Sequence, residues 1–107
     1  MKITVIKLKS VKSTNEEAIK LIKKNVVKPT LINTEIQTKG KGTMGKKWIS
    51  IKGNLLFSIF FVINNTKINY KQFALLNAYL LKNILSKYVL KKINIKWPND
   101  LLIEKEK

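Results

Sequence analysis

Between positions 53 and 63 the chain reads G-N-L-L-F-S-I-F-F-V-I, and from Leu55 onward only Ser58 interrupts the apolar side chains. The run is far short of the roughly 20 residues that cross a bilayer, and it lacks the polar stripe of a surface helix. It reads as a central strand covered on both faces, which commits the remaining residues to supplying neighbours and cover. In 107 residues there is one core to build, and folding at that length buries roughly two-thirds of the unfolded surface. Residues 1–107 are accordingly expected to form one domain.

The flanking segments fit that demand. Residues 3–9 form a plausible strand, apolar on both sides. In S13-T-N-E-E-A-I-K-L-I-K-K24, Ser13 with Glu16, or Thr14 with Glu17, fits the capping-box pattern, and Ala18, Ile19 and Ile22 follow at helical spacing, predicting a helix of about three turns. Residues 30–37, rich in β-branched side chains after Pro29, predict a second strand. From 69 to 88, Phe73, Leu76, Leu80, Ile84 and Tyr88, with Leu81 and Leu85 alongside, give the spacing of a long amphipathic helix. Residues 92–97 predict a strand with Ile93, Ile95 and Trp97 inward, which Pro98 stops because it offers no N–H to a ladder. Leu101 to 103 reads as the first half of a hairpin turning near 104–106. Its partner would begin where the sequence ends, so an unpaired edge is expected, as though the chain were cut. The order is that of a mixed sheet with helices on one side.

Composition removes whole classes of chemistry. There is no Cys and no His, which excludes disulfides, thiolate metal sites and Ser-His-Asp catalysis. No secretory leader or membrane span is visible, so a cytoplasmic domain without a membrane partner is expected. The formal net charge is +16, and every one of the 22 basic residues is Lys. A nucleic-acid reader that never uses the bidentate fork of Arg would be unusual, so most of this charge reads as compositional. It still favours anionic partners, such as nucleoside phosphates or an acidic protein, with encounter rates that fall with salt.

Three short motifs carry candidate chemistry. In Q37-T-K-G-K-G-T-M-G-K-K-W48 no helix follows the glycines, which excludes the dinucleotide and P-loop fingerprints. The segment is either a mobile basic loop or a backbone able to wrap a ligand, with Lys41, Lys46 and Lys47 meeting phosphate and Trp48 pinning the far end to the core. K96-W-P-N-D100 has the residues of an ordinary Asx turn, yet Asp100 is the one Asp of the chain and a candidate for a Mg²⁺ that bridges phosphates. K12-S-T-N-E-E17 is a helix cap whose hydroxyls could also serve a small polar ligand.

Taken together, S-T-N-E, E-I-Q-T-K-G-K-G-x-x-G-K-K-W, G-N-L-L-F-S and K-W-P-N-D-L-L-I, in that order, resemble the catalytic domain of the biotin protein ligases, within the biotin/lipoate protein ligase superfamily, from about Val11 to Lys107. The resemblance implies an α+β fold like the class II aminoacyl-tRNA synthetase core: a mixed, mostly antiparallel sheet with helices packed on one side, here truncated. It implies activation of biotin by ATP and Mg²⁺ to biotinyl-5′-AMP, then transfer to a lysine of a biotin carboxyl carrier protein or domain of a biotin-dependent carboxylase. It places Ser13, Thr14, Asn15 and Gln37 at biotin, joined by Lys41, Gly42, Thr43 and Lys107. Gly40, Lys41, Gly42, Thr43, Gly45, Lys46 and Trp48 fall on the adenylate loop, and Lys96, Asn99 and Asp100 fall beside ATP and its Mg²⁺, with Asp100 the metal ligand. Lys107, Asp100 and Lys41 become the catalytic set. The lysines would stabilise spreading negative charge as pyrophosphate leaves. No general base is required, because a carboxylate is already ionised at neutral pH.

Departures from the family pattern are equally specific. Lys41 and Lys46 stand where arginines are usual, giving charge without the fork. Thr43 replaces the loop's second Arg, which implies weaker retention of the adenylate. The following G-I-L strand, the rest of the domain and the small C-terminal domain are expected to be missing. No helix-turn-helix precedes the motifs, so DNA binding is not expected. The alternatives are a lipoate or octanoate ligase or transferase of the same fold, an inactive truncated fragment, a Lys-rich nucleic-acid-binding fragment, and a homodimer that completes its sheet.

Overall fold

In the computed structural model, which describes residues 2–42, 45–63, 69–97 and 99–103, β1 (Thr4–Val11) and β2 (Thr30–Gln37) run parallel, Thr4 opposite Thr30 and Val11 opposite Gln37. Parallel neighbours need a crossover, and α1 (Thr14–Lys23) supplies it. Ser13 caps this helix in extended backbone, its Oγ accepting the Glu16 N–H at 3.4 Å. After the helix, Asn25 takes a left-handed φ of 64°, a conformation that Asn tolerates better than most residues. β5 (Leu56–Phe60) then pairs antiparallel with β2, Thr30 opposite Phe60 and Thr34 opposite Leu56, in the strand order β1-β2-β5.

The run 53–63 is therefore not the central strand that its apolarity predicts. β2 holds the middle, and its buried face carries Thr30, Ile32 and Thr34. The two threonine hydroxyls are satisfied locally, donating to the Lys28 and Ile36 carbonyls at 2.9 Å each. β5 alternates instead. Leu56, Ser58 and Phe60 are half-buried, whereas Phe57 and Ile59 are 46% and 42% exposed. Within this unit α1 packs across β2 and β5 with Ala18 buried, so continuous apolarity marked a strand correctly but overstated its cover.

The glycine-rich stretch is a short two-stranded ribbon. β3 (Gly40–Lys41) and β4 (Lys47–Trp48) pair antiparallel, Gly40 opposite Trp48 and Lys41 opposite Lys47. The Gly42 N–H extends the ladder to the Lys46 carbonyl at 2.6 Å, and Gly45 takes a φ of +77°, which costs glycine little. Trp48 does not enter the core as expected and is 58% exposed. Its ring lies against the bare backbone of Gly42, where an added Cβ would stand 3.7 Å from Cε3.

Residues 1–63 form one compact unit and 64–107 a second. In the second, α2 (Tyr70–Leu85) starts at a full capping box. The Asn69 side chain accepts the Gln72 N–H at 3.0 Å, and the Gln72 side chain accepts the Asn69 N–H at 2.9 Å. The helix packs on a hairpin of β6 (Ile93–Lys96) and β7 (Asp100–Ile103), with Ala78 and Ile93 buried. The hairpin is antiparallel, Ile93 opposite Ile103 and Lys96 opposite Asp100. The strand at 101 was expected to lack a partner, but it pairs with the strand before it. The segment read as a strand stop is followed by a returning strand, with Trp97 and Asn99 in the reversal between the two. Trp97, expected inward, lies past the last paired residue and is 70% exposed. The turn expected near 104–106 lies outside the described residues.

The fold class stands as α+β and mixed, with the β1–β2 pair parallel and the β2–β5, β3–β4 and β6–β7 pairs antiparallel. Among the described residues no helix is long and apolar enough to cross a membrane.

Candidate functional site

Because β1 and β2 are parallel and only Lys12 and Ser13 separate β1 from α1, the end of β2 and the start of α1 meet at the carboxyl end of the parallel pair. Ligands commonly bind at the carboxyl ends of parallel strands, facing a helix N-terminus. A cavity of about 220 Å³ opens there, lined by Ser13, Thr14, Asn15, Gln37, Ser58, Lys41, Trp48 and the segment Leu55, Leu56, Phe57. The lining is thus mainly neutral hydrogen-bonding groups, with a few apolar side chains and one lysine, Lys41, among them.

The polar lining is wired. The Thr14 N–H, one of the helix's first unpaired donors, donates to Gln37 Oε1 at 2.9 Å, and Gln37 Nε2 donates to Ser50 Oγ at 2.9 Å. The Thr14 and Ser58 hydroxyls stand 2.7 Å apart, and Ser58 Oγ also donates to Asn15 Oδ1. Gly40 makes room for the arrangement. A Cβ there would fall 2.7 Å from both Gln37 Nε2 and the Trp48 carbonyl oxygen, and 3.0 Å from Ser50 Oγ. That glycine is accounted for by the packing of Gln37 before any ligand is considered.

Lys41, at the end of β3, reaches across to α1. Its Nζ pairs with Glu16 Oε1 at 2.6 Å. Glu16 is the residue expected to close the capping box on Ser13, but its carboxylate bonds the ribbon instead. The hydrogen bond from Lys41, and then its charge, hold the Glu16 carboxyl below the ordinary glutamate range; Lys12 and Lys20 add smaller attraction against slight desolvation. Lys41 also lines a second, larger groove of about 670 Å³ along the ribbon, bounded by Gln37, Thr38, Lys39, Gly40, Gly45, Lys46, Lys47, Trp48, Ile49 and Ser50. Gln37, Gly40, Lys41, Gly45, Lys46 and Trp48 are therefore brought together around these two spaces, and Gly42 lies under the Trp48 ring.

In the second unit, Lys96 and Asp100 face each other as cross-strand partners at the hairpin reversal, with Asn99 between them in sequence. Thr43 and Lys107 lie outside the described residues. The motifs did not single out Glu16 as a partner of Lys41, or Ser50 and Ser58 as parts of the hydrogen-bonded set. For Ser58 a signal existed, since a lone hydroxyl within an apolar strand needs a partner; for the other two, separation in sequence hid the contact.

A family model described as the biotin/lipoate A/B protein ligase family matches residues 7–107. The chain belongs to that family. It is 32% identical over 74 residues to the bifunctional ligase/repressor BirA of Escherichia coli strain K12, an alignment covering 68% of this chain and 23% of BirA. Among solved structures it resembles the biotin acetyl coenzyme A carboxylase synthetase of Helicobacter pylori, crystallised with biotinylated ATP, with a TM-score of 0.82 and 28% identity over 95% of this chain and 50% of that one. It also resembles the biotin protein ligase of Aquifex aeolicus in complex with biotin and ATP, with a TM-score of 0.76 and 34% identity over 94% of this chain and 42% of that one. The chain thus spans half or less of the length of each.

Proposed function

We propose that this chain binds biotin in the small polar cavity and activates it with ATP bound along the lysine-lined groove, for transfer to a lysine of a biotin carboxyl carrier protein in the cytoplasm. The observation that carries the reading is the convergence of Ser13, Thr14, Asn15, Gln37 and Ser58 on one cavity that Leu55, Leu56 and Phe57 also line. Biotin's cyclic urea has two N–H donors and one strong acceptor, which such a lining can match, and its alkyl chain suits Leu55, Leu56 and Phe57. The dithiolane of a lipoyl group has neither N–H donors nor a carbonyl to add to this hydrogen-bonded set, so it would gain nothing from the polar lining. That contrast favours biotin over lipoate.

In the activation step a biotin carboxylate oxygen attacks the α-phosphorus of ATP, the bond to the β-phosphate oxygen breaks, and pyrophosphate leaves without a proton transfer. Lys41, which lines both spaces, offsets the repulsion between the two anions, and Lys39, Lys46 and Lys47 attract the phosphates as point charges. In the transfer step the neutral amine of the acceptor lysine attacks the acyl carbon, AMP departs, and the amine's proton passes to solvent. Among the described residues no cluster of three or more carboxylate, His or Cys groups could hold a metal by itself. Asp100 is proposed as a Mg²⁺ ligand on its chemistry alone, since that ion is commonly held by one or two carboxylates with water and phosphate oxygens completing its shell, and Lys96, its cross-strand partner, and Asn99 are proposed for the nucleotide with it. The bound ion would neutralise phosphate charge. Thr43 and Lys107 are proposed to contact the adenylate and the reacting carboxylate.

Calorimetric titration with biotin and with lipoate, followed by measurement of ligand-dependent ATP–pyrophosphate exchange, tests the reading. Saturable biotin binding with biotin-dependent exchange is expected. Preference for lipoate would overturn it.

A further inference from the structure

Lys41 lines both spaces, and its charge is already engaged by a carboxylate of the protein itself. Glu16 holds it from the first turn of α1, with Nζ and Oε1 2.6 Å apart. We propose that Glu16 is a positioning residue for Lys41, holding the amine beside the cavity and groove that it lines and competing there with the carboxylate or phosphate of the ligand. This inference rests on the proposed biotin site and deepens it.

Three observations support it. The geometry of α1 gives Glu16 another use, the return bond to the N-cap of a capping box, but the side chain reaches the ribbon instead. The pair links α1 to β3, so it ties the polar lining of the cavity to the start of the lysine-bearing ribbon. Both partners keep solvent contact, with side-chain exposures of 60% for Lys41 and 34% for Glu16, so the ion pair can exchange for another anion without opening a core. The remaining charged groups near Glu16 are Lys12, ahead of the helix, Lys20 one turn on, and Glu17, itself paired with Lys20 at 3.1 Å. Lys12 and Lys20 act on Glu16 more weakly than Lys41, so loss of Lys41 to a ligand would release the Glu16 carboxyl toward its ordinary behaviour.

Carboxyl-carbon NMR of Glu16 in the wild-type chain measures this directly. Its titration midpoint is expected to lie low without ligand and to rise toward the ordinary glutamate value with saturating biotin. Binding of biotin and of its uncharged methyl ester to Glu16→Gln supplies the second measurement, because Gln can still accept from Lys41 but carries no charge. Affinity for biotin should rise by about two- to fivefold, with the ester unchanged. A Glu16 midpoint that stays low at saturation, or an equal change for acid and ester, overturns the competition while leaving the biotin site standing. If neither acid nor ester binds, both readings fall.

Discussion

Gln37 uses both ends of its amide within the protein, accepting from the first turn of α1 and donating to Ser50, and it passes beneath the ribbon only because residue 40 has no Cβ. The obstacle that a methyl group would meet there includes the Trp48 carbonyl, which is backbone and cannot rotate away. Gly40→Ala should therefore lower stability by about 1–3 kcal/mol, the usual cost of overpacking, and weaken biotin binding by about tenfold as Gln37 leaves its place. Denaturant midpoints and calorimetry read the two effects; a wild-type affinity would show that Gln37 does not order the cavity. Glu16 gives a prediction of a different kind. Its carboxyl is lowered by Lys41, so it binds fewer protons folded than unfolded, and the pair stabilises above the ordinary glutamate pKa. That contribution is lost as pH falls through the depressed folded value. The stability difference between wild type and Glu16→Gln should accordingly be present at neutral pH and vanish in acid, as followed by thermal unfolding across pH.

The two helices begin in similar ways and serve different ends. Ser13 caps α1 and lines the cavity, whereas Asn69 caps α2 with its box closed by Gln72. Replacing either by Ala should cost about 1 kcal/mol of stability. Only Ser13→Ala should also reduce biotin affinity, and circular dichroism during denaturation, paired with biotin titration, separates the outcomes. Elements of this sort were legible from sequence because their causes are local: a capping residue, a helical spacing, a β-branched run after Pro29. The helix predicted over 69–88 is observed as Tyr70–Leu85 and the strand over 30–37 as Thr30–Gln37. What local signals missed was pairing. Nothing within 53–63 reveals that β2 occupies the middle of the sheet, and nothing in the sequence around Trp97 reveals that the strand from Asp100 returns along the one before it. The candidate site divides along the same line. Ser13, Thr14, Asn15, Gln37 and Lys41 were marked by motif, while Ser50, Ser58 and the role of Glu16 depend on contacts across 13 to 44 positions.

At the scale of the whole molecule the dominant quantity is a net charge of +16 carried by lysine alone. Charge of one sign raises the encounter rate of anions everywhere, but its effect on a bound anion is local, because fields between exposed groups fade beyond about 8–10 Å in ordinary buffers. The groove concentrates Lys39, Lys41, Lys46 and Lys47 around one space, whereas Lys23 and Lys24 sit at the opposite end of α1 from the cavity. If the lysines are mostly compositional and only the ribbon set is used, the two groups must differ in a salt titration. The association rate of pyrophosphate should fall by about tenfold or more between roughly 0.05 and 0.5 M salt, and biotin methyl ester, being neutral, should show almost no dependence. Lys46→Gln with Lys47→Gln should flatten the slope and weaken pyrophosphate binding. Lys23→Gln with Lys24→Gln, which removes the same formal charge, should leave affinity within about twofold, since at that distance the screened interaction is small. Stopped-flow rates and equilibrium titrations on the two double variants measure this. Equal losses from both would mean that anions are drawn by the summed field rather than gathered by the ribbon, and the groove would lose its claim to be the phosphate site.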